Sequence, residues 1–346
     1  MKEMNEMKEM TYRILFLISA LLISACSSDE SQEEGGQGTL SMVSFTRAGE
    51  PTTVTDDYSP AFLFLVADDA SKSTSGQFRY TEPNSLSGSN SLWRSSVEVT
   101  NGTTYAIYGY APAGVGTVTL SDATRDGATM NFTNLPTVSS QDICFVVGVQ
   151  QVNATNDAKD IKLGKFDFTG KSDNNYVHLL MDHVYASICF KMQIDETYAT
   201  LRGIKLRGMT LQTTKATASA AVTLAGNTTE ADPIQGVTYA SLAGESREAQ
   251  FFDNDAGVAL TADEALQATC CFVPLADVRN NLTLVTAYDV YDRHGNKISE
   301  RTATNKLPNM SVARGERMTM TLTVSPTYLY VLSDPDLDNP TINIEP

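Results

Sequence analysis

The sequence of 346 residues has little charge, little histidine and a single tryptophan. Charged residues make up 19% of it, with 25 basic against 41 acidic, a formal net charge of −16. Nucleic-acid binding wants a basic face, so this balance argues against a nucleic-acid partner. Three histidines and five cysteines leave few soft ligands. There is no C-x-x-C, and His178 and His183, five apart, match no metal-ligand pattern, so no metal site and no cofactor are expected. The G-x-S-x-G, H-E-x-x-H and P-loop motifs are missing too. No catalytic residue is nominated, and the chain does not read as an enzyme. Beyond the first 25 residues no long segment has the 3.6-residue period of a helix.

What is there starts with a leader. Ile14 to Ala25 is an apolar run of 12 residues, too short to span a bilayer and right for the core of a signal peptide. It ends in Ile23-Ser24-Ala25-Cys26, which resembles a bacterial lipobox, so residues 1–25 read as a signal peptide and Cys26 as the lipidated residue. Glu3, Glu6 and Glu9 sit among the leading lysines, and a start at Met10 would leave Arg13 as the basic residue of the leader. An acidic, Gly-rich tether follows Cys26, too polar to bury a core. It resembles the surface-export signal of Bacteroidetes lipoproteins, with a plain solvated linker as the other reading. Four cysteines remain: Cys144, Cys189, Cys270 and Cys271. They read as small strand residues, with a Cys144–Cys189 bridge left open. Cys270 and Cys271 are adjacent in a strand-like run and should point to opposite faces.

The rest reads as strands. Thr39 to Phe45 is a short one carrying Leu40, Met42, Val43 and Phe45, and it stops at Arg47-Ala48, a site for trypsin-like cleavage. Either the strand stays, or it is cut away and leaves a gap in a sheet. Apolar runs or alternations continue at 61–66, 77–80, 93–100, 103–113 and 142–149, and a loop around 169–175 interrupts them. From Val184 to Ile194 alternation is strict, with Val184, Ala186, Ile188, Phe190, Met192 and Ile194 on one face. Further strands are expected at 204–211, 220–224, 269–274, 281–291 and 317–324, with a hairpin tip at His294-Gly295-Asn296. Many short strands at close spacing predict an all-β protein of two β-sandwich domains in tandem, residues 48–174 and 175–324. A tail over 325–346 remains, with Leu329 and Val331 in one apolar stretch and Ile342 and Ile344 in another. It either folds back as an edge strand or serves as a donor strand for another molecule.

Taken together, the motifs resemble the fimbrillins, the subunits of the type V pili of Bacteroidia. The resemblance is carried by the lipobox at Cys26, Thr46-Arg47-Ala48, Tyr-Gly-Tyr-Ala-Pro at Tyr108 to Pro112 and Ser-Gln-Asp-Ile at Ser140 to Ile143. It continues in Asp-His-Val-Tyr-Ala-Ser-Ile-Cys-Phe at Asp182 to Phe190 and Ala-Arg-Gly-Glu-Arg-Met-Thr at Ala313 to Thr319. Arg207 departs from it, standing where an apolar or small residue is expected. The resemblance implies transthyretin-like sandwiches and a lipidated outer-membrane precursor, with residues 26–47 as its propeptide. It further implies that an Arg-specific protease cuts between Arg47 and Ala48. The strand with Leu40, Met42, Val43 and Phe45 then leaves a groove, and the tail of another fimbrial subunit fills it. Exposing four such side chains costs on the order of 5–10 kcal/mol. A stalk subunit is implied first, a tip or anchoring subunit next, in a surface fimbrium serving adhesion and biofilm formation.

A surface glycan-binding lipoprotein is the rival reading. Tyr105, Tyr108 and Tyr110 alternate with smaller residues and would form its aromatic platform, although Trp93 reads as a core residue. Asp334, Asp336 and Asp338 alternate, but Pro340 stands against a calcium loop, so a solvated linker is expected there.

Overall fold

The structure is a computed structural model, and it describes residues 37–47, 50–53, 59–81, 92–154, 161–226, 232–325 and 341–345. Cys26, Ala48, Leu329, Val331 and the Asp334–Asp336–Asp338 stretch lie outside these. So do the side chains of Val43, Phe45, Arg47, Ile342 and Ile344. Short alternating segments become strands almost throughout. In the first half they are β1 (Gln37–Arg47), β2 (Glu50–Thr53), β3 (Ala61–Ala67), β4 (Thr74–Thr81), β5 (Leu92–Thr100) and β6 (Thr104–Ala111). There follow β7 (Thr117–Thr124), β8 (Gly127–Pro136), β9 (Val138–Ser139), β10 (Cys144–Val152), β11 (Asp167–Thr169) and β12 (Asn175–His183). The second half holds β13 (Ala186–Ile194), β14 (Gly203–Thr213), β15 (Thr217–Ala225), β16 (Ile234–Ala243) and β17 (Arg247–Ala259). It ends with β18 (Leu266–Phe272), β19 (Thr283–Tyr291), β20 (Lys297–Lys306), β21 (Arg317–Val324) and β22 (Thr341–Glu345). Helix among the described residues is limited to single turns such as Glu196–Ala199, capped by the Asp195 carboxylate on the Tyr198 N–H. None is long and apolar enough to cross a membrane.

The strands form four sheets. The largest runs β10-β12-β1-β5-β4-β3-β6-β11, with β2 added beside β1. A further pairing of β10 with β6, Cys144 opposite Ala111 and Phe145 opposite Tyr110, closes seven of these strands into a ring. The other sheets run β22-β21-β13-β18-β9, β17-β14-β19-β20 and β16-β15-β8-β7.

The described residues belong to one compact unit, and three of the four sheets draw strands from both sides of residue 174. β12, just past the expected boundary, pairs in the N-terminal ring with β1 and β10. β7 and β8 in turn share a sheet with β15 and β16.

Burial follows the alternation where one face meets the core. In β3, Ala61, Leu63, Leu65 and Ala67 are buried and the residues between them half-buried. The face of β13 read from the sequence is buried from Val184 to Ile194, and Tyr185 and Cys189 on its other face are buried too. None of the four described cysteines is in a disulfide, so the Cys144–Cys189 bridge is not formed. Burial pushes the Cys270 thiol up to about 12. Arg207 sits at a register shift in β14 and pairs with the buried Asp289, 3.1 Å away, which Lys297 also holds at 3.0 Å. The polar partner set explains why a charged residue stands there.

Candidate assembly site

β1 is an interior strand. Over Gln37 to Met42 it runs antiparallel to β5, and over Leu40 to Arg47 parallel to β12. Its last residues also meet β2, with Thr46 opposite Thr53 and Arg47 opposite Glu50. Arg47 is the last residue of β1, and β2 begins at Glu50. Gly38, Leu40 and Met42 point inward and are buried, and Gln37 and Thr39 point out. Leu40 and Met42 have no exposed surface, and Met42 stands opposite Trp93 on one side and Val177 on the other, both buried.

Local chemistry fixes this register. β5 shifts register between the partners of Thr39 and Ser41, and the Ser95 hydroxyl fills the irregularity. It donates to the Leu40 carbonyl at 2.9 Å and accepts from the Val97 N–H at 3.1 Å. On the β12 side a second shift falls between Met42 and Ser44. At the start of the strand the Asn175 amide is tied to Lys171 by two hydrogen bonds of 2.8 Å. A Cβ on Gly38 would lie 2.4 Å from both Asn175 Nδ2 and the Lys171 carbonyl oxygen. Only glycine fits that approach. Beside β1, His178 stands opposite Ser44 and Gln150, and burial holds its imidazole down to about 4, so it is neutral at pH 7.

The C-terminal segment lies at another edge. β22 pairs antiparallel with β21, Ile342 opposite Leu322 and Ile344 opposite Met320, and forms the outer strand of its sheet. In this arrangement the end of the tail covers its own chain.

Four of the sequence motifs converge at the seam where the ring closes. Tyr110 and Ala111 pair with Phe145 and Cys144, directly after Ser140 to Ile143. The Val184 N–H donates to the Ile143 carbonyl at 2.7 Å, and the Tyr185 hydroxyl to the Pro136 carbonyl at 2.8 Å. Arg314 donates to the His183 carbonyl at 2.6 Å and pairs with Asp182 at 2.9 Å, while the Gly315 N–H reaches the Tyr185 carbonyl. The seam also brings together Asp142, Cys144 and His183, a grouping that no local spacing in the sequence announces.

The aromatic platform is not there. Tyr105 and Tyr108 lie three apart and so on opposite faces of β6, and both are fully buried, with Tyr110 nearly so. The Tyr105 hydroxyl accepts from the Thr100 N–H, and that of Tyr108 donates to the Thr124 carbonyl. Trp93 is fully buried, as expected of a core residue.

No family model matches the chain, and no curated protein matches it. Solved structures do. A "putative cell adhesion protein" of Bacteroides fragilis is 12% identical with a TM-score of 0.44, the match covering 90% of this chain and 97% of that one. A fimbrial protein of Bacteroides vulgatus is 16% identical with a TM-score of 0.35, covering 88% and 98%. The fimbrial anchor protein Mfa2 of Porphyromonas gingivalis is 9% identical with a TM-score of 0.28, covering 89% and 97%.

Proposed function

We propose that the chain is a subunit of a cell-surface fimbrium, made as a lipoprotein on Cys26 and activated for assembly by cleavage after Arg47. The carrying observation is β1 itself: an interior strand with two fully buried side chains, held on both sides, whose last residue is Arg47. Losing it opens the backbone edges of β5 and β12 toward one another, and unpaired edges invite a replacement strand. The vacated sites of Leu40 and Met42 add roughly 3–6 kcal/mol of exposed apolar surface. A tail strand of another subunit, bearing Leu329, Val331, Ile342 and Ile344, recovers it. The partners are other fimbrial subunits and an Arg-specific protease, and the role is adhesion at the cell surface.

The pairing of β22 with β21 favours a second reading, a tip subunit that keeps its own tail. Mass spectrometry of the protein recovered from the cell surface separates these states. A start at Ala48 fits a groove-bearing subunit, stalk or tip, and cross-linking of Ile342 to a neighbouring subunit marks a stalk. A lipidated start at Cys26, in cells with an active Arg-specific protease, would leave the strand in place and assign an anchor.

A further inference from the structure

We propose that Asp142, Cys144 and His183 bind one thiophilic divalent ion of the zinc class, at the seam where β10 meets β6 and β12. Backbone register brings them together. Cys144 and His183 are direct partners across the antiparallel β10–β12 pair, so their side chains leave the sheet on the same side. Asp142 precedes Cys144 by two residues, the spacing that returns an extended chain to the same face.

The three ligand atoms lie within 4.8 Å of one another. Cys144 Sγ is 3.5 Å from Asp142 Oδ2 and 3.8 Å from His183 Nδ1, and His183 Nδ1 is hydrogen-bonded to Asp142 Oδ2. Zinc bound tetrahedrally at about 2.3 Å from sulfur and about 2.0–2.2 Å from nitrogen and oxygen keeps its ligands about 3.3–3.7 Å apart. The two sulfur separations are already close to this, and the imidazole–carboxylate hydrogen bond has to open. On binding, the Cys144 thiol proton goes to solvent. The imidazole binds in its neutral form with the proton on Nε2, so that the Nδ1 lone pair meets the ion. A carboxylate, a thiolate and a divalent ion then sum to zero charge, which suits a place where the Cys144 side chain is buried and those of His183 and Asp142 are 14% and 10% exposed. Arg314, a cation next to the site, is already paired with Asp182. A tetrahedral ion on these three ligands would take a solvent molecule as its fourth. Bound there, the ion fastens the end of β12, whose Met181 stands opposite Arg47.

The test is titration of the full chain, stripped with a chelator, using Co²⁺ as a spectroscopic probe and Zn²⁺ as competitor. The proposal expects one equivalent of Co²⁺ to give a sulfur-to-metal charge-transfer band with the intense visible bands of a tetrahedral site, both abolished by Zn²⁺. Asp142→Asn, which keeps size and thiol, should weaken binding at least about 10-fold. Cys144→Ser should remove the charge-transfer band, and Cys189→Ser should leave it. If Cys144→Ser does not fold, Asp142→Asn and the native titration decide alone. Cobalt bound without the sulfur band overturns the proposal, as does a band that Asp142→Asn leaves at native affinity or that Cys189→Ser removes.

Discussion

Gly38 sets a limit on any strand seated in the β1 position. Because its absent Cβ would meet Asn175 and a backbone carbonyl at 2.4 Å, Gly38→Val should destabilise the uncut protein by about 1–3 kcal/mol in urea unfolding. The tail over 325–346 contains no glycine, so a donated tail avoids that position. Leu40→Ala should cost the uncut protein about 2–5 kcal/mol. The same substitution should have no effect once the chain begins at Ala48, because Leu40 has then left; a persisting difference would mean the strand remains bound after cleavage. His178 gives a pH dependence. Its folded value of about 4 lies below the ordinary imidazole value, so the unfolded chain takes up the proton first. The associated stability is complete above about pH 6.5 and declines as the pH falls toward 4, by on the order of 1–3 kcal/mol. Comparing urea midpoints at pH 7 and pH 4.5 for the native protein and His178→Gln checks this, with the smaller decline expected in the variant.

At the scale of elements, β22 shields β21. Ending the chain at Ser325 should bare the β21 edge and promote self-association, seen as larger species in sedimentation velocity. A truncated chain that stays monomeric would show that β21 needs no cover. Strands were legible in the sequence where one face is continuously apolar, as in β3, β13 and β21. β7, β8, β16 and β17 were not, because threonine, serine, asparagine and alanine fill much of their length and β17 buries little. β1 could be read as a strand ending at Arg47, but its interior place could not. That depends on β12, more than 130 residues further along, whose sequence reads equally well as the opening of another domain. The Asp142–Cys144–His183 grouping was hidden for the same reason, since antiparallel register and not spacing creates it.

Over the whole molecule, the ring couples these parts. Cutting at Arg47 and removing β1 should lower the thermal midpoint, and a synthetic peptide of residues 325–346 should raise it again if the groove accepts the tail. No recovery at saturating peptide would count against strand replacement. Because β10 and β6 also pair, removal of β1 leaves the other six strands as one continuous sheet, its two free edges still joined the long way round. A mechanical difference follows between the two ends of the chain. Tension along a strand seated in the β1 position is met in shear by hydrogen bonds on both flanks at once. Tension on β22, held along one side only, can break them singly from one end, so a filament joined through the ring resists pulling by the same pairing that β22 can surrender stepwise.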